Sequence, residues 1–128
     1  MEVLMFRIDG MSRTPVYEQI IEQVEKLITL GIISPGDQLP SVRSLSTELS
    51  VNPNTIQKAY SELDSKGIAR SVPGRGCFIA EDAAEVIKNE AKGKLDKITR
   101  LAREMLLSGV TEDEIRSAVE KGFSSADN

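Results

Sequence analysis

Ser41 and Asn52 are both helix-capping residues, and only ten residues separate them, a spacing that restricts the possible folds more than any other feature of the chain. Ser41 follows Pro40, and its hydroxyl suits an N-cap; Val42, Leu45 and Leu49 then supply the apolar positions of a helix little more than two turns long. After Ser50-Val51 the start signal repeats. Asn52 caps, Pro53 fits the first helical position where its missing N–H costs nothing, and Ile56, Ala59, Tyr60 and Leu63 line one face as far as Lys66. Gly67 ends that helix.

A longer amphipathic helix precedes this pair. Thr14-Pro15 is its start signal, with the threonine hydroxyl as cap; Val16, Ile20, Ile21, Val24, Leu27 and Ile28 recur every three or four residues, Glu18, Glu22, Glu25 and Lys26 fall elsewhere, and Gly31 closes it. Ahead of it, Phe6 and Ile8 alternate with polar neighbours before Asp9-Gly10, which predicts either a very short strand or an extended lead-in packed on the helix. Pro35-Gly36-Asp37 marks the following turn. Two short helices with about three residues between them, following a longer helix, form a helix-turn-helix. Its second member is the expected recognition helix. Ile68 to Val72 and Cys77 to Ile79 read as two short strands around Pro73-Gly74-Arg75-Gly76, so the motif gains a wing.

From about Asp82 the helical pattern returns as one seam of Ile87, Ala91, Leu95, Ile98, Ala102 and Met105, widened by Leu101 and Leu106 and closed by Gly109. Thr111 through Glu114 fits a capping box, and Ile115, Ala118, Val119 and Phe123 face one side of a last helix. The expected fold is mainly α with a small β-hairpin: a winged helix-turn-helix over residues 1–80, then a two-helix tail over 81–128. Two helices in about 48 residues leave such a seam too little to bury against within one chain. Ile87, Ala91, Leu95, Ile98, Leu101, Ala102 and Met105 are therefore expected to pack across a homodimer.

Composition narrows the function classes. A chain of 128 residues, 40% hydrophobic, has material for one compact domain and an appendage. Cys77 is its only cysteine and it has no histidine, so an internal disulfide and a multi-cysteine zinc site are excluded, and no histidine serves as ligand or general base. No phosphate-binding loop or paired-carboxylate motif points to an enzyme. The opening residues lack the pattern of a signal peptide, and the most apolar stretch, Leu27 to Ile33, is too short to span a bilayer. The expectation is a cytoplasmic protein without metal, cofactor or membrane partner.

A net charge of −4 argues at first against nucleic acid, because phosphate neutralisation supplies most non-specific affinity. The imbalance is uneven. Residues 1–80 hold 8 Lys+Arg against 9 Asp+Glu, and the remainder holds 8 against 11. From Ser65 to Ile79 the only charges are Lys66, Arg70 and Arg75.

Four stretches, TPVYEQI (Thr14 to Ile20), PGDQLPSVRSLS (Pro35 to Ser46), VNPNTIQKAYSELDSKG (Val51 to Gly67) and GRGCFI (Gly74 to Ile79), resemble the GntR family of transcriptional regulators in order and spacing. The tail length resembles that of the small YtrA-like subfamily. The resemblance implies a homodimer that binds a near-palindromic double-stranded operator and controls a transporter operon, often including its own gene. It also implies that Arg43, in the first turn of the second helix, touches the DNA backbone or a base edge; an exposed surface arginine is the plain alternative.

Residue chemistry adds to this. Recognition helices meet bases with their N-terminal residues, where amide groups and the positive dipole end also attract phosphate. Asn52, Asn54 and Thr55 open that helix, Gln57 and Lys58 continue its exposed side, and Ser41 caps the helix before it. Asn and Gln pair with adenine, Lys with guanine or phosphate. Asn52 is as readily a pure cap. Arg75 sits between glycines at the wing tip, where a cation enters a minor groove and the bare backbone at Gly76 approaches the sugar-phosphate rail.

Three positions depart from the family pattern. Cys77 replaces the more usual Thr or Ser of the wing strand, as a small strand residue or a redox sensor. Ser50 stands where glycine is frequent, and a left-handed conformation there costs about 1 kcal/mol. Pro53 and Gln57 occupy places where larger relatives often carry arginine. No cavity comparable to the metabolite sites of larger members is expected in so short a tail, and the effector is unspecified. The competing reading is a winged-helix protein-interaction module without DNA binding, supported only by the overall acidity.

Overall fold

The computed structural model describes residues 6–125; residues 1–5 and 126–128, which the expected domain ranges include, lie outside it. Six helices and one hairpin follow in the order α1 (Val16–Thr29), α2 (Val42–Leu49), α3 (Pro53–Lys66), β1 (Ala69–Val72), β2 (Gly76–Ile79), α4 (Ala83–Lys92), α5 (Leu95–Leu107) and α6 (Glu112–Ser125). They form two compact units, one ending at Lys88 and the other beginning at Asn89.

The first unit closes a core. Ile20, Val24 and Ile28 of α1, Leu45 of α2, and Ile56, Ala59, Tyr60 and Leu63 of α3 are buried together with Leu39, Ile68 and Ile79. These are the positions that helical periodicity assigns to the inner faces. The α1 helix begins one residue later than expected. Pro15, not Thr14, occupies its N-cap position, and no side chain caps it. The Thr14 carbonyl is instead engaged by Gln19 Nε2 at 2.9 Å.

Gln19 and Gln23 explain why Phe6 to Asp9 form an extended lead-in with no partner strand among the described residues. Gln23 Oε1 accepts from the Arg7 amide at 2.8 Å while its Nε2 donates to the Arg7 carbonyl, and Gln19 brackets Asp9 in the same way at 2.8 and 3.0 Å. Two side-chain amides thus supply the hydrogen bonds that a neighbouring strand would supply. Phe6 is held in the core by this arrangement.

Glycine ends α1 and α3 by the same device. After α1, Gly31 takes φ +76°, its N–H reaches the Ile28 carbonyl at 3.0 Å, and the Ile32 N–H reaches Leu27 at 2.9 Å. After α3, Gly67 at φ +82° and Ile68 repeat the pattern onto Asp64 and Leu63. Both are Schellman closures that satisfy otherwise orphaned carbonyls. Ser50 closes α2 in the left-handed region at φ 56°, ψ 46°, the conformation expected from glycine's usual place there.

The wing is an antiparallel pair in the register Ala69↔Ile79, Arg70↔Phe78, Ser71↔Cys77 and Val72↔Gly76. Its loop turns where the Arg75 N–H meets the Val72 carbonyl at 2.9 Å, with Pro73 and Gly74 central and Gly74 at φ +76°. Residues 36–39 add a rudimentary third strand on the far edge of β2: Leu39 donates to Cys77, Ile79 donates to Asp37 and Gly36 donates to Ile79, all within 2.8 to 2.9 Å.

Beyond the wing the structure departs from a single long helix. The seam expected from about Asp82 to Gly109 is interrupted at Gly93-Lys94, between α4 and α5. There Lys94 donates to Ala91 at 3.0 Å, a tightened three-residue step, and a Cβ on residue 93 would meet the Glu90 carbonyl at 3.3 Å. Glycine's low helix propensity makes this the weakest point of the stretch. Ala83 is fully buried, and Val86 and Ile87 pack against the first unit's core, so that unit runs past residue 80. In the second unit α5 and α6 contact each other, and Thr111 caps α6 in the expected reciprocal box: its Oγ1 accepts from the Glu114 N–H at 3.2 Å, and Glu114 Oε1 accepts from the Thr111 N–H at 2.9 Å. No helix among the described residues is long and apolar enough to cross a membrane.

Candidate nucleic-acid interface

Ser41, Arg43, Asn52, Asn54, Gln57, Lys58, Arg75 and Gly76 are all exposed, and Thr55 is half-buried. All lie in the first unit. Arg43, Arg70 and Arg75 make no ion pair among the described residues, so their guanidinium groups have their full donor capacity for an external anion. Lys66, the other cation of the acid-free run, pairs with Glu25 of α1 at 3.6 Å and is thereby committed inward.

The start of α3 is a finished cap. Asn52 Oδ1 accepts from the Asn54 N–H at 2.7 Å, and the Thr55 and Ile56 amides both reach the Asn52 carbonyl, at 2.9 and 3.4 Å. Pro53 has no N–H. The free amides expected here as phosphate donors are therefore engaged within the chain, which leaves the dipole and the side chains to meet a ligand. Asn54 projects from this turn, while Gln57 Nε2 donates to Ser61 Oγ at 3.2 Å one turn further on.

Tyr17 is a participant that the sequence pattern does not single out. Lys58 Nζ lies over its ring, 4.0 Å from the centroid, and Tyr17 lines a shallow depression with Asn52, Asn54 and Thr55. The ring holds the ammonium by its negative face and limits the rotamers of a flexible side chain. Partial burial raises the Tyr17 hydroxyl pKa above the ordinary value, with a smaller contribution from its bond to Glu18, so the phenol stays neutral.

The second helix is set by Ser41, whose Oγ accepts from the Ser44 N–H at 3.0 Å. Tyr60, reaching back from α3, donates its hydroxyl to the Pro40 carbonyl at 2.7 Å and so ties the two helices of the motif together. Burial pushes the Tyr60 hydroxyl pKa well above the ordinary value, as suits a permanent donor.

Two side chains anchor the wing. Gln38 Nε2 donates to the Arg75 carbonyl at 3.0 Å, and Asp64, near the end of α3, accepts from the Ser71 N–H at 2.8 Å. Gly76 takes φ +128°, and a Cβ there would come within 2.4 Å of Gln38 Nε2. A side chain at this position would strain the backbone and displace the brace. Cys77, on the inward side of β2, is buried, and burial pushes its thiol pKa upward, so the reactive thiolate is disfavoured. Among the described residues no group of three or more His, Cys, Asp or Glu is placed to hold a metal ion.

A helix-turn-helix braced by Tyr60, followed by a hairpin that carries an unpaired arginine at its tip, defines a winged-helix DNA-binding module. The gntR family of bacterial regulatory proteins matches residues 16–79. The chain is 44% identical over 103 residues to the HTH-type transcriptional repressor YtrA of Bacillus subtilis (strain 168), an alignment covering 80% of this chain and 77% of that protein. A GntR family transcriptional regulator from Listeria monocytogenes superposes with a TM-score of 0.67 at 35% identity, over 89% of this chain and 98% of that one. The DNA-binding domain of AraR, solved in complex with operator ORX1, superposes with a TM-score of 0.52 at 33% identity, over 59% of this chain and 93% of that one. The chain therefore belongs to the GntR family and is a DNA-binding transcriptional regulator.

Proposed function

We propose that the chain is a homodimeric repressor in which α3 of each copy enters a major groove of a near-palindromic operator while the wing follows the flanking minor groove. The observation that carries this reading is the largely exposed polar and cationic set on α2, α3 and the wing, in which Arg43 and Arg75 make no ion pair among the described residues, offered by a unit whose core is already closed. Asn54, Thr55 and Gln57 are assigned to base edges; Asn52 orients the helix as its cap. Lys58, Ser41 and Arg43 are assigned to phosphates, and Arg75 to the minor groove beside the bare backbone of Gly76. Pairing of the copies is assigned to the tail, through Ala91, Leu95, Ile98, Leu101, Ala102 and Met105. Ile87, turned toward the first unit's core, supports the root of α4. The resemblance to YtrA-like regulators favours a transporter operon and the protein's own gene as targets, and a bacterial cytoplasm as the compartment.

The test is binding to the DNA upstream of its own gene across a range of salt. Arg75→Ala is expected to weaken binding to all sequences and to flatten the plot of log K against log salt by about one unit; Gln57→Ala is expected to cost ~1–3 kcal/mol at selected base positions only. Unchanged affinity and slope in both variants would remove the site assignment.

A further inference from the structure

The charge of the chain is segregated in a way that the winged helix does not use. Residues 92–103 hold five cations, Lys92, Lys94, Lys97, Arg100 and Arg103, against the single acid Asp96. Of 16 Lys+Arg and 20 Asp+Glu in the whole chain, this leaves 11 and 19 for everything else, so a segment of net +4 sits in a protein that is otherwise −8. All five cations are exposed, and none forms an ion pair among the described residues. On α5, Lys97, Arg100 and Arg103 follow one another at three-residue steps along the side away from Leu95, Ile98 and Ala102. From Lys97 to Arg103 the helix rises about 9 Å, a length over which duplex DNA carries about five phosphates.

We propose that this segment is a second, sequence-independent DNA-contact surface, in which Lys94, Lys97, Arg100 and Arg103 neutralise backbone phosphates. The proposal rests on the DNA-binding reading above. It answers the charge deficit that the winged helix leaves: residues 1–80 carry one more acid than base, and one of their cations, Lys66, is spent on Glu25. A polyanion is the partner whose charge density matches five unpaired cations in twelve residues. The apolar side of α5 stays available for pairing two copies, since Lys97, Arg100 and Arg103 occupy the other side and Lys94 stands at the helix N-cap.

The test compares the full chain with its Lys94→Gln/Lys97→Gln/Arg100→Gln/Arg103→Gln variant on a random-sequence duplex of about 40 bp and on DNA upstream of its own gene, with salt dependence as readout. The expected result is a slope reduced by roughly 3.6 units per bound copy on both duplexes, at about 0.9 for each phosphate no longer neutralised, with more than tenfold weaker binding to the random duplex at low salt. The charge-preserving variant Lys94→Arg/Lys97→Arg/Arg100→Lys/Arg103→Lys is expected to keep the wild-type slope. An unchanged slope in the glutamine variant overturns the proposal, as does an equal loss in the charge-preserving one. Vesicles of phosphatidylglycerol are the third probe: binding to them that depends on these four residues, with DNA slopes unaltered, reassigns the surface to a membrane. If the upstream DNA is bound no better than random sequence while the slope difference persists, the operator reading fails and this one stands. If the wild-type chain binds neither duplex, both fall.

Discussion

The two units of the chain treat their large apolar side chains in opposite ways. In the first, Ile20, Val24, Leu45, Ile56, Leu63 and Ile68 are fully buried, and the turns at Gly31, Gly67 and the wing tip are closed by backbone hydrogen bonds. In the second, no described residue is buried; Leu95, Ile98, Leu101 and Phe123 stand 59, 51, 53 and 69% exposed. The helices of the second unit are nonetheless well made, with a reciprocal cap at Thr111–Glu114 and a glycine closure at Gly109, where the Val110 N–H reaches the Met105 carbonyl at 3.0 Å. Good local structure without a core marks an element that lacks its packing partner. The first unit is a finished reader; the second, on the pairing proposed above, is half of an interface.

The comparison breaks first if the reader's core is not what holds it. Leu45→Ala and Ile56→Ala, each removing a side chain of 0% exposure, are expected to lower the unfolding free energy of the first unit by ~2–5 kcal/mol in denaturant titration. The matched change in the tail, Leu101→Asp, is expected to shift that unfolding by less than about 0.5 kcal/mol while converting the protein to a monomer in sedimentation velocity. A large loss of first-unit stability on Leu101→Asp, with no change in mass, would erase the distinction between the units.

Smaller changes sharpen it within the reader. Tyr60→Phe removes the hydrogen bond to the Pro40 carbonyl and is expected to cost about 1 kcal/mol. Ser50→Gly relieves a left-handed φ of 56° and is expected to stabilise by up to about 1 kcal/mol.

The smallest effects are those of pH, and the units respond at opposite ends. Tyr60 and Cys77 have folded pKa values above their ordinary 10.0 and 9.0, so the stability they lend is complete below those values and is lost as pH rises past them. Glu114 has its pKa lowered from 4.5 by the bond from the Thr111 amide, so its contribution is present above that value and is lost as pH falls through the folded one. Near-ultraviolet signals of the first unit are expected to decay from about pH 9 upward, and helicity lost on acidification below about pH 4.5 is expected to include α6. Insensitivity of the helical signal to Glu114→Gln at neutral pH would remove the cap from the account.

What was legible in the sequence follows the same division between local and distant causes. The faces of α1, α2 and α3, the caps Ser41, Asn52 and Thr111, and the closure at Gly67 each depend on residues within about one turn of one another, and pattern alone places them. The left-handed Ser50 was legible through the family resemblance, which has glycine at that place. Gln19, Gln23, Gln38 and Asp64 were not, because each bonds backbone that lies 7 to 37 residues away and leaves no periodic trace. The break at Gly93 was hidden by an apolar period that continues across it, since one glycine costs a helix only about 1 kcal/mol. For the interface, sequence named residues that the fold leaves exposed, but it gave no sign that Tyr17 holds Lys58 or that Lys66 turns inward to Glu25.

The central claim is that a complete reader is paired by an incomplete tail, and the number of chains on the DNA tests it most directly. Sedimentation equilibrium of the full chain with the duplex it protects upstream of its own gene is predicted to give two copies per site, falling to one weakly held copy in Leu101→Asp. One copy per site in the wild type, bound as tightly as in that variant, would contradict it.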